Sequence, residues 1–376
     1  MDFQNFELAR EDIITSLFNS NDRDITNLIP KEEITPKYNL NPFLNNDNIR
    51  KYNMKGYNLT LEKYFQYYPY SKISQKKNEN GTYKRKIGTD VFTNSVLCSY
   101  IISDLYLSNG RPNYGLDSNL ITYFAFINNG EGYKITTNQN NTLFNFIKNS
   151  KNLNTMKVYY GSDEYLVSCI GLELISSILI QIFTNLKYLK SKLSFGWNRS
   201  SVDNCFIIKA PTNIQIYDIK HKSDFVVIMG MFDYAEIKYK NNGNILELYQ
   251  EDEVKEVLNF DVIDNEYHVL KTWKSLKINT SKKENVSAPL DWDGILFIIS
   301  LILIPEIYYT IITNSDLFDL LITKTFHMSD VERLMYKIKT CVERRIESTY
   351  EKSLEIATGV RFKSGVIDRV NKYFAI

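Results

Sequence analysis

The chain has 376 residues, of which 44% are hydrophobic, and its 45 lysine and arginine residues are balanced by 44 aspartate and glutamate residues. This length is enough for one large hydrophobic core or two smaller ones, and two lobes are expected. The net charge of +1 excludes a global field that would attract nucleic acid or an anionic membrane, although a local basic groove is compatible with it. We therefore expect no membrane partner and find no strong signal for nucleic acid.

Cysteine and histidine usage bears on the compartment and on metal binding. The residues concerned are Cys98, Cys169, Cys205 and Cys341, and His221, His268 and His327. The cysteines lie far apart, which predicts free thiols in a reducing compartment rather than a disulfide framework. No histidine has a close cysteine or histidine neighbour, so a zinc site is not expected.

The first half of the chain is predicted to contain an arm and a small lobe. Residues 1–50 are polar, and residues 1–18 lack the charged-then-apolar order of a secretory signal, so we expect Met1 to begin the working protein. The elements predicted next are a hairpin at residues 70–74 and 83–87, a helix at 89–106, strands at 120–127 and 131–137, and a short helix at 141–147. Residues 51–150 thus predict a strand-rich lobe with one embedded helix.

The second half is predicted to be a larger helical lobe, residues 151–376. Its predicted elements are a long buried helix at 172–189, strands at 205–208, 214–219 and 225–229, a hairpin at 234–248, and helices in the last third. The most apolar stretches, 165–189 and 295–312, are interrupted by polar residues such as Glu173 and Glu306. They predict buried core helices rather than membrane spans. The predicted fold class is α+β with two lobes.

The segment at residues 186–208, LKYLKSKLSFGWNRSSVDNCFII, carries the most informative pattern. A buried helix ends, a polar turn follows, and Asn204, five positions after Arg199, opens an apolar strand. This order resembles the catalytic loop H-R-D-L-x-x-x-N of protein kinases, in which the Asp is the catalytic base and the Asn holds a magnesium ion. Trp197 stands in place of the His and Arg199 in place of the Asp. Arginine has a pKa above about 12 and cannot act as a base.

The resemblance is to the protein-kinase-like family, in particular to the divergent kinases of large DNA viruses, and it implies further site residues. Asp233 stands where the metal-binding Asp of D-F-G is expected, so Asn204 and Asp233 are the implied magnesium ligands. Lys86 is the candidate phosphate-binding lysine, in competition with Lys84, and Asp90 is its acidic partner. No glycine-rich loop is recognisable, since Gly56 alone precedes the hairpin.

Other segments resemble the same family by their order along the chain. Residues 133–147 resemble the strand, hinge and short helix that line an adenine pocket. Ala288 and Pro289, followed by the acidic residues Asp291 and Asp293, resemble the segment after the activation loop. ATP and magnesium are the cofactors that the resemblance implies, and no other cofactor is expected.

With the base replaced, the resemblance implies a pseudokinase that binds protein partners and, if its cleft retains it, a nucleotide. The alternative within the family is a divergent active serine/threonine protein kinase whose base is supplied elsewhere. The expected location is the cytoplasm. The abundance of Asn, Ile and Lys and the scarcity of Ala are typical of an AT-rich genome. The expected location therefore includes the cytoplasm of a host cell and the virion of a virus with an AT-rich genome.

A metal-dependent nuclease is the competing interpretation. Asp224 opens a strand, and Glu236 and Lys238 follow it in the D…E-x-K order of that class. There, two carboxylates hold magnesium and the lysine orients the attacking water. This interpretation predicts an acidic residue of the preceding helix, such as Glu173, near the pair. Alternating charge on a hairpin is more often its solvent-exposed face.

Overall fold

The computed structural model describes residues 12–18, 28–29, 51–54, 57–64, 71–108, 122–128, 130–137, 141–150, 153–160, 162–209, 213–216, 219–241, 243–250, 256–263, 266–274, 291–344 and 348–374. The chain has mixed α and β structure. Apart from residues 12–18 and 28–29, the predicted N-terminal arm lies outside the described residues, as do Gly56, Ala288 and Pro289.

The helices and strands are named in chain order. The strands are β1 (Lys51–Met54), β2 (Tyr57–Tyr64), β3 (Ser71–Lys77), β4 (Tyr83–Thr89), β5 (Thr122–Asn128), β6 (Glu131–Thr137), β7 (Leu153–Tyr160), β8 (Asp163–Ile170), β9 (Cys205–Lys209), β10 (Asn213–Ile216), β11 (Ile219–Lys222), β12 (Phe225–Met229), β13 (Ile237–Asn241), β14 (Asn244–Gln250), β15 (Glu256–Ile263), β16 (Glu266–Lys274) and β17 (Arg361–Lys363). Residues 12–18 are helical, and the α-helices that follow them are α1 (Val91–Ser108), α2 (Leu143–Lys148), α3 (Leu172–Leu193), α4 (Trp292–Ile302), α5 (Pro305–Thr313), α6 (Ser315–Phe318), α7 (Met328–Glu343), α8 (Thr349–Ala357) and α9 (Val366–Phe374).

The chain divides into two compact units, each built from separated segments. Unit 1 comprises Met1–Asn140, Leu189–Trp197 and Gly230–Asp252, and unit 2 comprises Asn141–Tyr188, Asn198–Met229 and Glu253–Ile376. Unit 1 contains one four-stranded sheet in the order β1-β2-β6-β5 and another in the order β13-β14-β4-β3. The β14–β4 pairing is parallel, whereas the other pairings in both sheets are antiparallel.

Helix α1 forms the core of unit 1. Its residues from Phe92 to Ser103 are all buried, including small polar ones such as Ser99. A Cβ atom at Gly132 would lie 2.8 Å from the ring of Phe92, so the glycine permits the close approach of β6 to α1. Asp90 begins the helix, because its carboxylate accepts the Thr93 N–H at 2.9 Å and the Thr93 hydroxyl at 2.7 Å.

Helices α3 and α4 carry the core of unit 2. Every residue of α4 is buried, and the ring of Phe297 packs edge-on against Phe183 of α3 at 6.3 Å. Strand β12 is buried along its whole length. Gln181 of α3 binds the β12 backbone, since its Oε1 accepts the Val227 N–H at 2.8 Å and its Nε2 donates to the Phe225 carbonyl at 3.2 Å. Helix α3 therefore positions the strand that precedes residue 230.

The periodic elements are confirmed, and the differences lie where the local pattern was ambiguous. The hairpin β3–β4, helix α1, strands β5 and β6, and helix α2 all form as predicted. Residues 165–170, taken as the start of a buried helix, instead form strand β8, because DEYLVSCI is rich in aromatic and β-branched residues and Gly171 separates it from α3. Residues 214–219 divide into β10 and β11. The hairpin β15–β16 was not predicted.

Within the described ranges, one helix, α3, has the length and apolar composition of a membrane span, and 61% of its most apolar window is buried in the protein. Helices α4 and α5 meet the same test only as a pair, which is bent by 100°. Buried core helices of globular proteins have these properties too.

Candidate functional site

The predicted site residues belong to two different units of the chain. Arg199 and Asn204 lie in unit 2. Lys86, Asp90 and Asp233 lie in unit 1. The prediction that Asn204 and Asp233 share a magnesium ion stays a prediction.

Asn198, Arg199 and Asn204 belong to a turn that hydrogen bonds hold at both ends. The backbone of Asn198 adopts the left-handed region, with φ of 63°, and its N–H donates to Oδ1 of Asp293 at 2.9 Å. The side-chain amide of Asn204 donates to the Arg199 carbonyl at 2.6 Å, which closes the five-residue spacing seen in the sequence. With Nδ2 donated to the loop, Oδ1 is the atom of Asn204 that suits a magnesium ion.

Asp203 ties the same turn to helix α8. Its Oδ2 accepts hydrogen bonds from the Thr349 N–H at 2.8 Å, the Thr349 hydroxyl at 2.7 Å and the Tyr350 N–H at 3.1 Å. These N–H groups belong to the first turn of α8, where they have no partner within the helix and the helix dipole favours a negative charge. Asp203 is thus a helix cap supplied from a distant part of the chain.

The side chain of Arg199 contacts the ring of Tyr350. Its guanidinium carbon lies 5.4 Å from the centre of the Tyr350 ring, within the range of a cation–π contact. The Tyr350 hydroxyl in turn donates to the Asn198 carbonyl at 3.3 Å. We refer to residues 198–204, with these tethers, as the Arg199 loop. It places a permanent cation at the position where the sequence pattern predicts a base.

In unit 1, the turn at residues 230–236 is held by helix α1. Met231 adopts the left-handed region with φ of 57°, which is unfavourable for a side chain of this kind. Nδ2 of Asn94 donates to the carbonyls of Asp233 at 3.0 Å and Ala235 at 2.9 Å. Phe232 is fully buried against Phe195. The backbone of this turn is therefore fixed, and strain is stored at Met231.

A buried lysine lies in the same neighbourhood and was not singled out from the sequence. Lys134 of β6 is fully buried, and its Nζ donates to the Ser95 hydroxyl of α1 at 2.8 Å. Burial raises the pKa of the Cys98 thiol well above its ordinary value, and the charges of Glu236 and Asp233 raise it further, whereas Lys134 lowers it. Cys98 therefore stays protonated and unreactive. In sequence, Lys134 looks like an ordinary lysine of an alternating strand, so no local signal marks it.

Lys86 and Asp90 have separate roles in the structure. Lys86 is half-exposed and forms an ion pair with Glu247 of β14 at 3.2 Å, while Lys84 contacts the same carboxylate at 2.7 Å. Asp90 caps helix α1, as described above. A phosphate at Lys86 would have to compete with Glu247 for its ammonium group.

The residues of the nuclease interpretation are also divided between the units. Asp224 is exposed next to β12 in unit 2, and Glu173 is exposed in the first turn of α3. Glu236 and Lys238 lie in unit 1, where Lys238 contacts Glu247 at 3.5 Å. Among the described residues, no group of three or more His, Cys, Asp or Glu side chains could hold a metal ion.

Comparison with known proteins adds no assignment. No protein-family model matches the chain. No curated protein is significantly similar to it in sequence.

Proposed function

We propose that this protein is a kinase-like binding protein, a pseudokinase with two lobes that engages protein partners and has lost phosphotransfer activity. The observation that carries this proposal is the Arg199 loop. Asn204 closes it onto the Arg199 carbonyl, and this contact supports the pairing of the two positions that the resemblance to a catalytic loop implies. The residue at the base position is a cation.

The tethers of the loop argue against a base supplied by a nearby acid. Asp203 is the nearest carboxylate in sequence, and its Oδ2 is occupied by three donors of α8. Asp293 accepts the Asn198 N–H. Proton abstraction contributes about 10² to 10⁴ in rate, so a loop with this composition supports at most feeble phosphotransfer. Binding of a partner is then the better-supported role, and the active kinase is the alternative.

A retained nucleotide would be bound with magnesium. The resemblance implies that Asn204, through Oδ1, and Asp233 would hold the metal, which would supply positive charge to neutralise the phosphates. The ion pair between Lys86 and Glu247 weakens the case for Lys86 as the phosphate ligand.

The first test measures phosphate transfer from radiolabelled ATP to generic protein substrates by the purified protein. The unmodified protein should show no transfer above background, and Arg199→Asp should gain a trace at most. Arg199→Gln is the matched control, because it removes the cation without supplying a base. Robust transfer by the unmodified protein would replace this proposal with the active kinase.

The second test is thermal denaturation with and without ATP and magnesium. A ligand at 100 times its dissociation constant stabilises the folded state by about 2.7 kcal/mol. Stabilisation that is lost in both Asn204→Ala and Asp233→Ala, but kept in the exposed control Asp319→Ala, supports a nucleotide-binding pseudokinase. If ATP and magnesium do not stabilise the unmodified protein, its function is to bind protein partners without a nucleotide. Magnesium-dependent DNA or RNA cleavage that is lost in Glu236→Ala would establish the nuclease instead.

A further inference from the structure

The sheet β13-β14-β4-β3 of unit 1 has two faces of opposite character. On one face Ile87, Leu246 and Leu248 are buried. On the other, the register aligns two rows of side chains across the four strands: Lys76, Lys84, Ile245 and Lys240 in one row, and Ser74, Lys86, Glu247 and Lys238 in the next. We call these eight residues the basic face. Each of them is exposed or half-exposed.

The basic face has a large excess of positive charge in a small area. It holds five lysines and one carboxylate. Neighbouring strands lie about 4.8 Å apart and alternate residues about 6.7 Å apart along a strand, so the block measures about 14 Å by 7 Å. Repulsion among ammonium groups at this spacing is unfavourable unless an anion offsets it.

Glu247 offsets only part of this charge. Its carboxylate contacts the Nζ atoms of Lys84 at 2.7 Å, Lys86 at 3.2 Å and Lys238 at 3.5 Å. Burial alone would raise the pKa of Glu247, but hydrogen bonds from Lys84 and Lys86 outweigh it and hold the pKa below its usual range. One ionised carboxylate thus forms ion pairs with three lysines. Lys76 and Lys240 form no ion pair with any residue in the described part of the chain.

The side-chain types on the basic face favour one class of anionic partner over others. All five cations are lysines, which are flexible point charges suited to phosphate rather than to bidentate reading of bases. Tyr249, two positions after Glu247, places an aromatic side chain on the same side of β14, and aromatic rings are the groups on which single-stranded bases stack. The exposed large apolar side chains of the described residues are Tyr159, Tyr165, Leu166, Leu172, Met328, Tyr336 and Tyr373, and none lies in this sheet. A membrane surface would need such anchors.

We propose that the basic face binds the phosphate backbone of single-stranded nucleic acid without sequence preference. Regularly spaced phosphates would replace the missing counter-charge at Lys76 and Lys240, and the two rows of side chains would support a strand laid across the sheet. This inference rests on unit 1 alone and holds whether or not the protein is kinase-like.

The test is fluorescence anisotropy of a labelled single-stranded DNA of about 20 nucleotides and mixed sequence, titrated with the full-length protein at several salt concentrations. About four phosphate contacts on a single strand give a slope of log K against log salt of about −2.8, so affinity should fall about 50-fold between 50 and 200 mM salt. Lys76→Gln with Lys240→Gln should make the slope shallower by about 1.4. Glu247→Gln should increase the affinity, because it removes the one carboxylate of the face.

The matched control is Lys220→Gln with Lys222→Gln, which removes the same number of exposed lysines from strand β11 in unit 2. This variant should bind as the unmodified protein does. Equal losses in both double variants would overturn the proposal, and so would the absence of binding at 50 mM salt. Tighter binding to phosphatidylserine vesicles or to poly-glutamate than to the oligonucleotide would assign the face to a membrane or to an acidic protein instead.

Discussion

The Arg199 loop and the basic face use charged side chains in opposite ways. In the loop, the carboxylates of Asp203 and Asp293 accept hydrogen bonds from backbone N–H groups that would otherwise lack partners. On the basic face, the charged groups point to solvent and one carboxylate serves three lysines. The loop therefore contributes to stability, whereas the basic face contributes to binding. This difference can be tested by replacing single carboxylates and measuring the free energy of unfolding of each variant.

The largest effect is expected from Asp203→Ala. The substitution removes three hydrogen bonds to a charged acceptor and leaves the first turn of α8 uncapped, so the free energy of unfolding should fall by about 3 kcal/mol. Denaturant unfolding measures this change. Asp203→Asn keeps an acceptor oxygen and should lose about half as much. Asp368→Ala, at an exposed ion pair with Lys187, should change stability by less than about 0.5 kcal/mol, and an equal loss there would contradict the assignment.

A second, smaller effect should depend on pH at Asp330. Burial alone would raise the pKa of Asp330, but hydrogen bonds and charge from Arg361, with the charge of Arg333, hold it below its usual range. The stabilisation is fully present above the unfolded-state pKa of about 4 and is lost as the pH falls through the lower folded-state pKa.

Asp330→Asn should therefore reduce the free energy of unfolding by about 2 kcal/mol at pH 6, and by progressively less below pH 4. Urea unfolding of both proteins across this range gives the difference directly. Asp368→Asn is the control at an exposed site. A difference that grows as the pH falls would mean that the pKa shift has the opposite sign.

The smallest change in stability is expected from Glu247→Gln. Although Glu247 contacts three lysines, these lysines are between 37% and 49% exposed, and solvent screens such pairs, so the loss should stay within about 1 kcal/mol. The affinity for single-stranded DNA should nevertheless rise. A loss of stability close to that of Asp203→Ala would show that the two regions do not differ in the way described.

The sequence predicted the elements whose periodicity is clear. Helix α1 and hairpin β3–β4 follow from local spacing, and the five-residue interval from Arg199 to Asn204 marked the loop before its geometry was known. The tethers of that loop could not be predicted, because Asp203 and Thr349 are 146 positions apart in the chain. Nor could the burial of Lys134, which depends on the fit of β6 against α1.

The basic face could not be predicted from the sequence for a different reason. Its lysines come from three strands, β3, β4 and β13, and the fourth strand, β14, supplies the carboxylate. A net charge of +1 for the whole chain conceals a local excess of this kind. Only the register of the sheet brings these side chains together.

The parallel pairing of β14 with β4 has a consequence for how the protein is made. Ile245 pairs with Lys84, and Asn244 accepts the Tyr83 N–H from 161 positions away. Contacts between such distant segments form slowly, and on the ribosome β4 emerges long before its partner has been synthesised. Until β14 arrives, β4 presents an unpaired strand edge, which is the kind of surface on which chains aggregate. A nascent chain stopped near residue 140 therefore lacks a strand that it needs, and the third segment of unit 1, Gly230–Asp252, completes a fold that the first segment cannot finish alone.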